Sequence, residues 1–462
     1  MCGIIGSNFH KLLIVEKALN EIRSRGPDQT GIIELNNFTI GANRLSIQDI
    51  LYSNQPLCLD STYMVYNGEV WNNSIEDYKS DGYWILDRYK KYGVECFKDI
   101  DGMFALCIYD NGTIILARDY IGEIPIYYYN DNDKFCFASE LKSFKYFEID
   151  LSKVKLLQPG SNLKFKDGII DIHTWYNLPN KEILDNKEDI IKKFRSILET
   201  AVEKRIPKEV DFTTLLSGGI DSTIIAFLLK EYKSDLEAYT IHLNDDRSSK
   251  RTNDLYYARE VSKWLGIKLN EIIISEKEVL DNIEKTIIII EDGIWTQVAS
   301  GLAHILMAKN INKKFKVVFS GGGSDEIFAS YPSQKRWQWS DDQYDGARRH
   351  LITNLHKNNI IRENKCLLSE SFEVRSPFLD REFVEYAINI PIKYRYENKR
   401  MKPILRYAFP EIPEHILWRE KVCQGEGVGI DPIIKGKKEY IKEFFRNTYY
   451  GGRRCVKERE LE

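Results

Sequence analysis

The hydrophobic pattern of the chain changes period near residues 177–187, and this change limits the fold more than any other feature of the sequence. Before it come short runs rich in aromatic and β-branched residues, Phe38–Gly41, Tyr63–Gly68, Phe104–Tyr109, Thr113–Ala117 and Ile126–Tyr129. Such runs, broken by turn signals, read as strands. Asp110-Asn111-Gly112 between two of them is a hairpin signal, because Asn and Gly tolerate the positive φ of a tight turn. One helix is expected near Leu13 to Arg23. After the change, helix and strand alternate: Ile190–Arg205, Phe212–Leu216, Thr223–Tyr232, Ala238–Leu243, Leu255–Leu265 and Glu271–Ile274. Alternation of this kind builds a parallel sheet with right-handed crossovers, and ligands then bind at the carboxyl ends of its strands. The expected architecture is a layered α+β domain of sheets flanked by helices over 1–178 and a polar, Pro-containing linker over 179–186. An α/β doubly wound parallel-sheet domain over 187–432 and a charged helix and tail over 433–462 complete it.

A chain of 462 residues exceeds what one hydrophobic core usually serves. With 43% hydrophobic and 29% charged residues it has the apolar material for two. A net charge of -3 with interspersed signs lacks the electrostatic footprint of a nucleic-acid or anionic-membrane binder, so neither is expected as a partner. The longest apolar stretches, among them Ile287 to Ile290, are far short of a membrane span. The N-terminus offers neither a basic region nor a long apolar stretch for export, which points to a cytoplasmic location. Eight cysteines without a C-x-x-C pair argue against a zinc site or a disulfide framework.

Cys2 directly follows the initiator Met, whose removal would leave one residue carrying both a thiol and a free α-amine. A thiol with pKa of about 8.5 beside an amine of about 8 exchanges a proton at little cost near neutrality, so position alone supplies a nucleophile and its base. By itself a cysteine at position 2 is more often an accident. The segments behind it change that weighing: Cys2-Gly3-Ile4-Ile5-Gly6, Arg25-Gly26-Pro27-Asp28, Arg44-Leu45-Ser46-Ile47, Gln55-Pro56-Leu57 and Asn67-Gly68-Glu69 follow in order. Gly102-Met103-Phe104-Ala105, Arg118-Asp119, Ala138-Ser139-Glu140 and Pro159-Gly160 continue the series. In these segments the first half resembles the class II glutamine amidotransferases, which have an N-terminal nucleophile fold. The resemblance implies Cys2 as nucleophile, with the Asn67 side-chain amide and the Gly68 N–H as the oxyanion hole. It also implies Arg44, Asn67, Gly68, Glu69 and Asp81 as the glutamine site, Arg44 on the α-carboxylate and Asp81 on the α-ammonium. Only about eight residues separate Asn72 from Ser80-Asp81, fewer than the family usually has. A shortened rim of this kind would weaken glutamine binding and favour free ammonia as donor.

Ser217-Gly218-Gly219-Ile220-Asp221-Ser222 lies between a strand and an apolar helix, where consecutive backbone N–H groups can cradle phosphate oxygens. An acid inside such an anion nest makes sense if it holds Mg²⁺, and no G-x-x-x-x-G-K-[ST] motif is present. The loop resembles that of the N-type ATP pyrophosphatases, which cleave ATP to AMP and pyrophosphate while adenylating a carboxylate. Further segments follow: Ser320-Gly321-Gly322-Gly323-Ser324-Asp325-Glu326, Glu373-Val374-Arg375-Ser376-Pro377-Phe378-Leu379-Asp380 and Trp418-Arg419-Glu420-Lys421. Both halves together resemble the asparagine synthetases over roughly residues 1–430. By that resemblance Leu216, Ser217, Gly218, Gly219, Asp221, Ser222, Ile241, Ser320, Gly321, Lys402 and Lys421 would bind ATP or its pyrophosphate. Asp221 and Asp325 would hold Mg²⁺, and a homodimer is an assembly the resemblance admits.

The implied function is hydrolysis of glutamine at Cys2 and transfer of the ammonia to an aspartyl adenylate, giving asparagine, AMP and pyrophosphate. One departure bears on the acceptor. The family's loop usually reads Ser-Gly-Glu-Gly-Ser-Asp-Glu, with the Glu implicated in handling the acyl-adenylate, whereas Gly322 stands there in this chain. Two acids, Glu373 and Glu291, are candidates to replace it, and Gly322→Glu is expected to raise aspartate-dependent AMP formation. The alternatives are the same machinery acting on another carboxylate acceptor, such as a sugar uronate or a peptide, and a catalytically inactive regulatory homologue.

Overall fold

The computed structural model describes residues 1–72, 78, 80–181, 183–244, 254–331, 339–394, 396–397, 400–419 and 424–451. Its first part is two six-stranded antiparallel sheets packed face to face. In the first sheet the strand order is Lys155–Leu156, Tyr127–Asp131, Lys134–Ala138, Cys2–Ser7, Phe38–Arg44 and Gln29–Leu35. In the second it is Ile169–Thr174, Ser161–Lys166, Thr113–Arg118, Gly102–Asp110, Thr62–Val70 and Leu57–Leu59. Successive side chains of a strand point to opposite faces. Ile4 therefore joins Val65, Ala105 and Leu116 between the sheets, while Ile5 turns outward to Val15, Ala18 and Leu19 of helix Leu12–Glu21. On the far side Met64, Tyr66, Phe104 and Leu106 pack with Trp84 and Ile85 of helix Asp81–Tyr92. The result is four layers, helix, sheet, sheet, helix.

Every residue of Cys2–Ser7 is buried, which is why the run lacks the polar alternation of a surface strand. That strand pairs with Phe38–Arg44, Cys2 opposite Arg44, so the first residues of the chain lie at the centre of the domain.

The second part carries a five-stranded parallel sheet in the order Lys268–Ile274, Glu237–Leu243, Asp211–Leu215, Phe315–Phe319 and Glu373–Arg375. The chain builds outward from Asp211–Leu215 to one side and then returns to the other. The reversal lies at the carboxyl ends of Asp211–Leu215 and Phe315–Phe319, where a doubly wound sheet leaves a crevice. Both glycine-rich loops emerge there. Helix Lys438–Tyr450 buries Ile441, Phe445 and Tyr449 against the second domain, so the charged C-terminal stretch has a packed apolar face. No helix among the described residues is long and apolar enough to cross a membrane.

Candidate active site

Cys2 lies at the start of its strand, 5% exposed, and its backbone N–H donates to Asn67 Oδ1 at 2.7 Å. That bond orients the amide, and Asn67 Nδ2 is left buried with no acceptor. A buried donor without a partner costs roughly 1–3 kcal/mol, a cost that an oxyanion would relieve. Gly68, the next residue, passes so close to the neighbouring strand that a Cβ there would stand 2.1 Å from Met103 O. Only glycine fits. Gln55 Nε2 lies 3.4 Å from Cys2 Sγ and donates to Tyr66 O at 2.7 Å, a neighbour of the thiol that sequence reading passed over. Burial pushes the Cys2 thiol up, with the N-terminal amine the largest opposing influence, so the sulfur is protonated at neutral pH and requires a base.

Arg44 is buried, and its guanidinium donates to the carbonyls of Gln48 at 3.0 Å, Asp49 at 2.9 Å and Ile50 at 3.1 Å. It thus pins the loop that follows its strand, a duty its sequence position did not announce. Asp81 opens helix Asp81–Tyr92 and accepts from the Tyr66 hydroxyl at 3.0 Å and the Val70 N–H at 3.3 Å. Glu69 is bonded by Gln48 and lies 3.5 Å from Arg375 of the second domain. Burial and the adjacent Glu373 push the Glu69 carboxyl well above the usual range. Asp81 is also raised by burial, against the pull of the Tyr66 hydroxyl. Acidic groups thus crowd the side of the nucleophile where a substrate ammonium is expected.

Met1 lies between Cys2 and the parallel sheet. Its amine donates to Glu373 Oε2 at 2.8 Å, and Arg375 Nε donates to Glu373 Oε1 at 2.7 Å. Glu373 heads the edge strand of the parallel sheet, so strand Cys2–Ser7 of one domain abuts the sheet edge of the other. This corrects one expectation. Glu373 is spoken for on the Cys2 side and does not line the crevice between the two glycine-rich loops. Glu291, the other candidate, pairs with buried Lys365 and accepts from the N–H groups of Leu141 at 3.0 Å and Lys142 at 2.6 Å. It ties the domains together and is equally absent from the crevice wall.

The crevice is a cavity of about 440 Å³. Leu216, Ser217, Gly219, Asp221 and Ser222 line it from the first glycine-rich loop, and Ile241 from the adjacent strand. Ser320, Gly321 and Asp325 come from the second loop and Lys402 from the C-terminal part. Gly218 has φ of +71°, and a Cβ there would stand 2.4 Å from Tyr257 Cβ, so the turn needs glycine twice over. Ser217 Oγ accepts from the Gly219 N–H at 3.2 Å and meets Ser222 Oγ at 3.1 Å, closing the loop over the start of helix Ile220–Tyr232. The positive end of that helix therefore faces the cavity.

Lys402 Nζ donates to both oxygens of Asp221, at 2.8 and 2.7 Å, and to Asp325 Oδ1 at 2.8 Å. Its backbone is held at φ of +56°, a left-handed conformation costing a lysine about 1–2 kcal/mol that the two ion pairs offset. Ser324 Oγ donates to Asp221 Oδ1 at 2.7 Å. The two carboxylates converge on one cation-sized point. Such a hard oxygen pair suits Mg²⁺ when phosphate oxygens and water supply the other ligands, whereas the described residues hold no cluster of three metal-ligating side chains. Lys421 lies outside the described residues. Arg419, in the same quoted segment, donates to Ser217 O at 2.7 Å and pairs with Asp254, bracing the first loop.

Residues 193–351 and 342–448 match the family described as Asparagine synthase, and residues 1–156 the one described as Glutamine amidotransferase domain. The chain belongs to the asparagine synthase family. It is 30% identical over 497 residues to glutamine-hydrolyzing asparagine synthetase 2 of Arabidopsis thaliana, covering 97% of this chain and 82% of that one. It is 31% identical to asparagine synthetase B of Escherichia coli K12, covering 93% and 83%, and 32% identical to a probable asparagine synthetase of Schizosaccharomyces pombe, covering 93% and 85%. The asparagine synthase family match spans both glycine-rich loops, and the amidotransferase match spans Cys2 and Asn67.

Proposed function

We propose that this protein is a glutamine-dependent ligase that makes asparagine from aspartate and ATP, with AMP, pyrophosphate and glutamate as the other products. The observation that carries the reading is the pairing of two incomplete sites in one chain. One has a buried thiol beside an unsatisfied amide donor; the other has two aspartates and a lysine at the mouth of a helix-capped crevice.

In the first site the freed Cys2 α-amine takes the thiol proton, and the sulfur attacks the glutamine amide carbon; the C–N bond then breaks, the α-ammonium passing its proton to the departing ammonia, and water cleaves the thioester to glutamate and the free thiol. Asn67 Nδ2 and the Gly68 N–H stabilise the oxyanion. Arg44 faces the α-carboxylate of the amino acid and Asp81 its α-ammonium, with Glu69 beside them. In the second site the Ser217–Ser222 loop and the start of helix Ile220–Tyr232 receive the phosphates of ATP, while Leu216 and Ile241 flank the base. Asp221 and Asp325 would hold Mg²⁺, which would neutralise charge on the phosphates. Lys402, already in contact with both acids, follows the charge that develops on pyrophosphate. Met1, Glu373 and Arg375 mark where the two domains meet, and ammonia crossing there stays out of bulk water, where it would become ammonium.

The test is product analysis with ATP, Mg²⁺, glutamine and aspartate. AMP, glutamate and asparagine together support the reading; glutamate with neither AMP nor asparagine would send the search to another acceptor, and the absence of AMP with every acceptor tried would sink it.

A further inference from the structure

Gly322 leaves a gap in the crevice wall that a carboxylate from another element fills. A Cβ built on Gly322 would stand 2.7 Å from Glu363 Oε2, 3.3 Å from Ser376 Oγ and 3.4 Å from Ser320 Oγ. The first atom of any side chain at 322 would thus meet the head group of Glu363. Glu363 belongs to helix Asn359–Leu368, lines the crevice and is 7% exposed. Its Oε1 accepts from Ser320 Oγ at 2.5 Å, and Ser320 Oγ in turn accepts from the Gly322 N–H at 3.1 Å. One hydroxyl therefore holds the loop and the acid in register.

The other acids at this end of the crevice have prior engagements. Asp221 and Asp325 share Lys402, and Glu326 is bonded by Tyr331 and by Asn359 Nδ2 at 2.6 Å. Glu363 has the Ser320 hydroxyl and His304, whose Nε2 is 3.7 Å away. Burial holds that imidazole neutral, with its pKa driven down to about 3, so it does not neutralise the acid. Burial also raises the Glu363 carboxyl, against the pull of Ser320 and Arg362. The same helix reaches the ammonia side. Arg25 Nη2 donates to Asn364 Oδ1 at 3.1 Å and Arg25 Nε to Cys2 O at 3.0 Å, so the residue after Glu363 is tied to the nucleophile strand.

We infer that Glu363 is the general base of amide formation, placed on a helix where this chain has no side chain at residue 322. The inference rests on the reading of the crevice as an adenylating, amide-forming site. The lone pair of ammonia forms the C–N bond at the acyl carbon. The bond from that carbon to the phosphate oxygen breaks, its electron pair leaving with AMP, and one of the three N–H protons passes to the Glu363 carboxylate while two stay on the amide. Carboxylate position 322 and carboxylate position 363 are then alternatives that occupy one space.

The experiment uses the full chain with ATP, Mg²⁺, aspartate and ammonium chloride, which bypasses glutamine. Glu363→Gln, nearly isosteric, is expected to lower kcat for asparagine formation about 10²-fold or more, the worth of a positioned base, with the KM for ATP within about threefold of the parent. Gly322→Glu alone, which the sequence predicts to be activating, is expected instead to lower the rate, because two carboxylates then compete for one site. Combining Gly322→Glu with Glu363→Ala is expected to recover at least about tenfold over Glu363→Ala alone. A Glu363→Gln enzyme within about threefold of the parent rate would overturn the inference, as would an exchange variant no faster than Glu363→Ala. A parent protein that forms no AMP would instead overturn the proposed function, so the two failures are distinct.

Discussion

Asn67 spends its side-chain oxygen on the backbone N–H of Cys2, at 2.7 Å, and thereby presents its amide nitrogen, buried and unpartnered, beside the nucleophile. An asparagine fixed in this way cannot flip, because the flipped amide would set two donors face to face. The donor is therefore organised before substrate arrives. Asn67→Ala is expected to lower glutamine hydrolysis by about 10²- to 10³-fold. Synthesis supported by ammonium chloride should persist, and a parallel loss of both activities would show that Asn67 holds the fold rather than the oxyanion.

The proposed base for Cys2 is the α-amine at the chain terminus. With Met1 present, the amine lies one residue further on and is committed to Glu373, and burial raises the thiol. Glutaminase activity is therefore expected to scale with the fraction of molecules that have lost Met1, measured by intact mass on preparations with graded processing. Full activity in a preparation that retains Met1 would contradict an α-amine base. Cys2→Ala should abolish glutamine use and leave ammonia-supported asparagine formation in place.

Lys402 is the group on which Asp221 and Asp325 both depend. Lys402→Met removes the cation and leaves two acids facing each other. The expected cost is about 3 kcal/mol, the lower end for a broken buried pair, because Asp325 keeps some contact with solvent. AMP formation should be lost. Added Mg²⁺ should raise the melting temperature of the variant more than that of the parent, since the metal can take the place of the ammonium. Equal shifts in the two proteins would separate the metal from these carboxylates.

The strands were readable because their runs are rich in aromatic and β-branched residues and bounded by turns: Tyr63–Gly68 lies within strand Thr62–Val70, and Phe212–Leu216 overlaps strand Asp211–Leu215. Both glycine-rich loops were readable for a local reason, since a small-residue turn between an apolar strand and a helix has few other uses. Glu363 was not readable. It sits in the run Arg362, Glu363, Asn364 and Lys365, which by composition is a solvated helix face, yet all four are buried. What buries them are partners distant in sequence, Gln297 for Arg362, Ser320 for Glu363, Arg25 for Asn364 and Glu291 for Lys365. The same holds for Glu373 and Glu291, whose charge suggested chemistry and whose surroundings assign them to the contact between domains.

A buried ion cluster of the first domain has a pH signature. Glu140 is buried between Arg25 and Lys142, with the Arg25 bond at 2.7 Å. Burial alone would raise its carboxyl, but Lys142, then Arg25, then Lys365 outweigh it and bring the pKa down to about 2 from a usual 4.5. A carboxyl whose folded pKa is depressed contributes stability that is complete above its unfolded value and is lost as pH falls toward the folded one. Glu140 should therefore contribute on the order of 3 kcal/mol above pH of about 5, fading between about 4.5 and 2. Glu140→Gln is expected to unfold more easily than the parent at pH 7, with the gap narrowing steadily on acidification. Denaturant melts at pH 7, 4 and 3 measure it. A gap that stays constant over that range would mean that Glu140 acts through shape rather than through its charge.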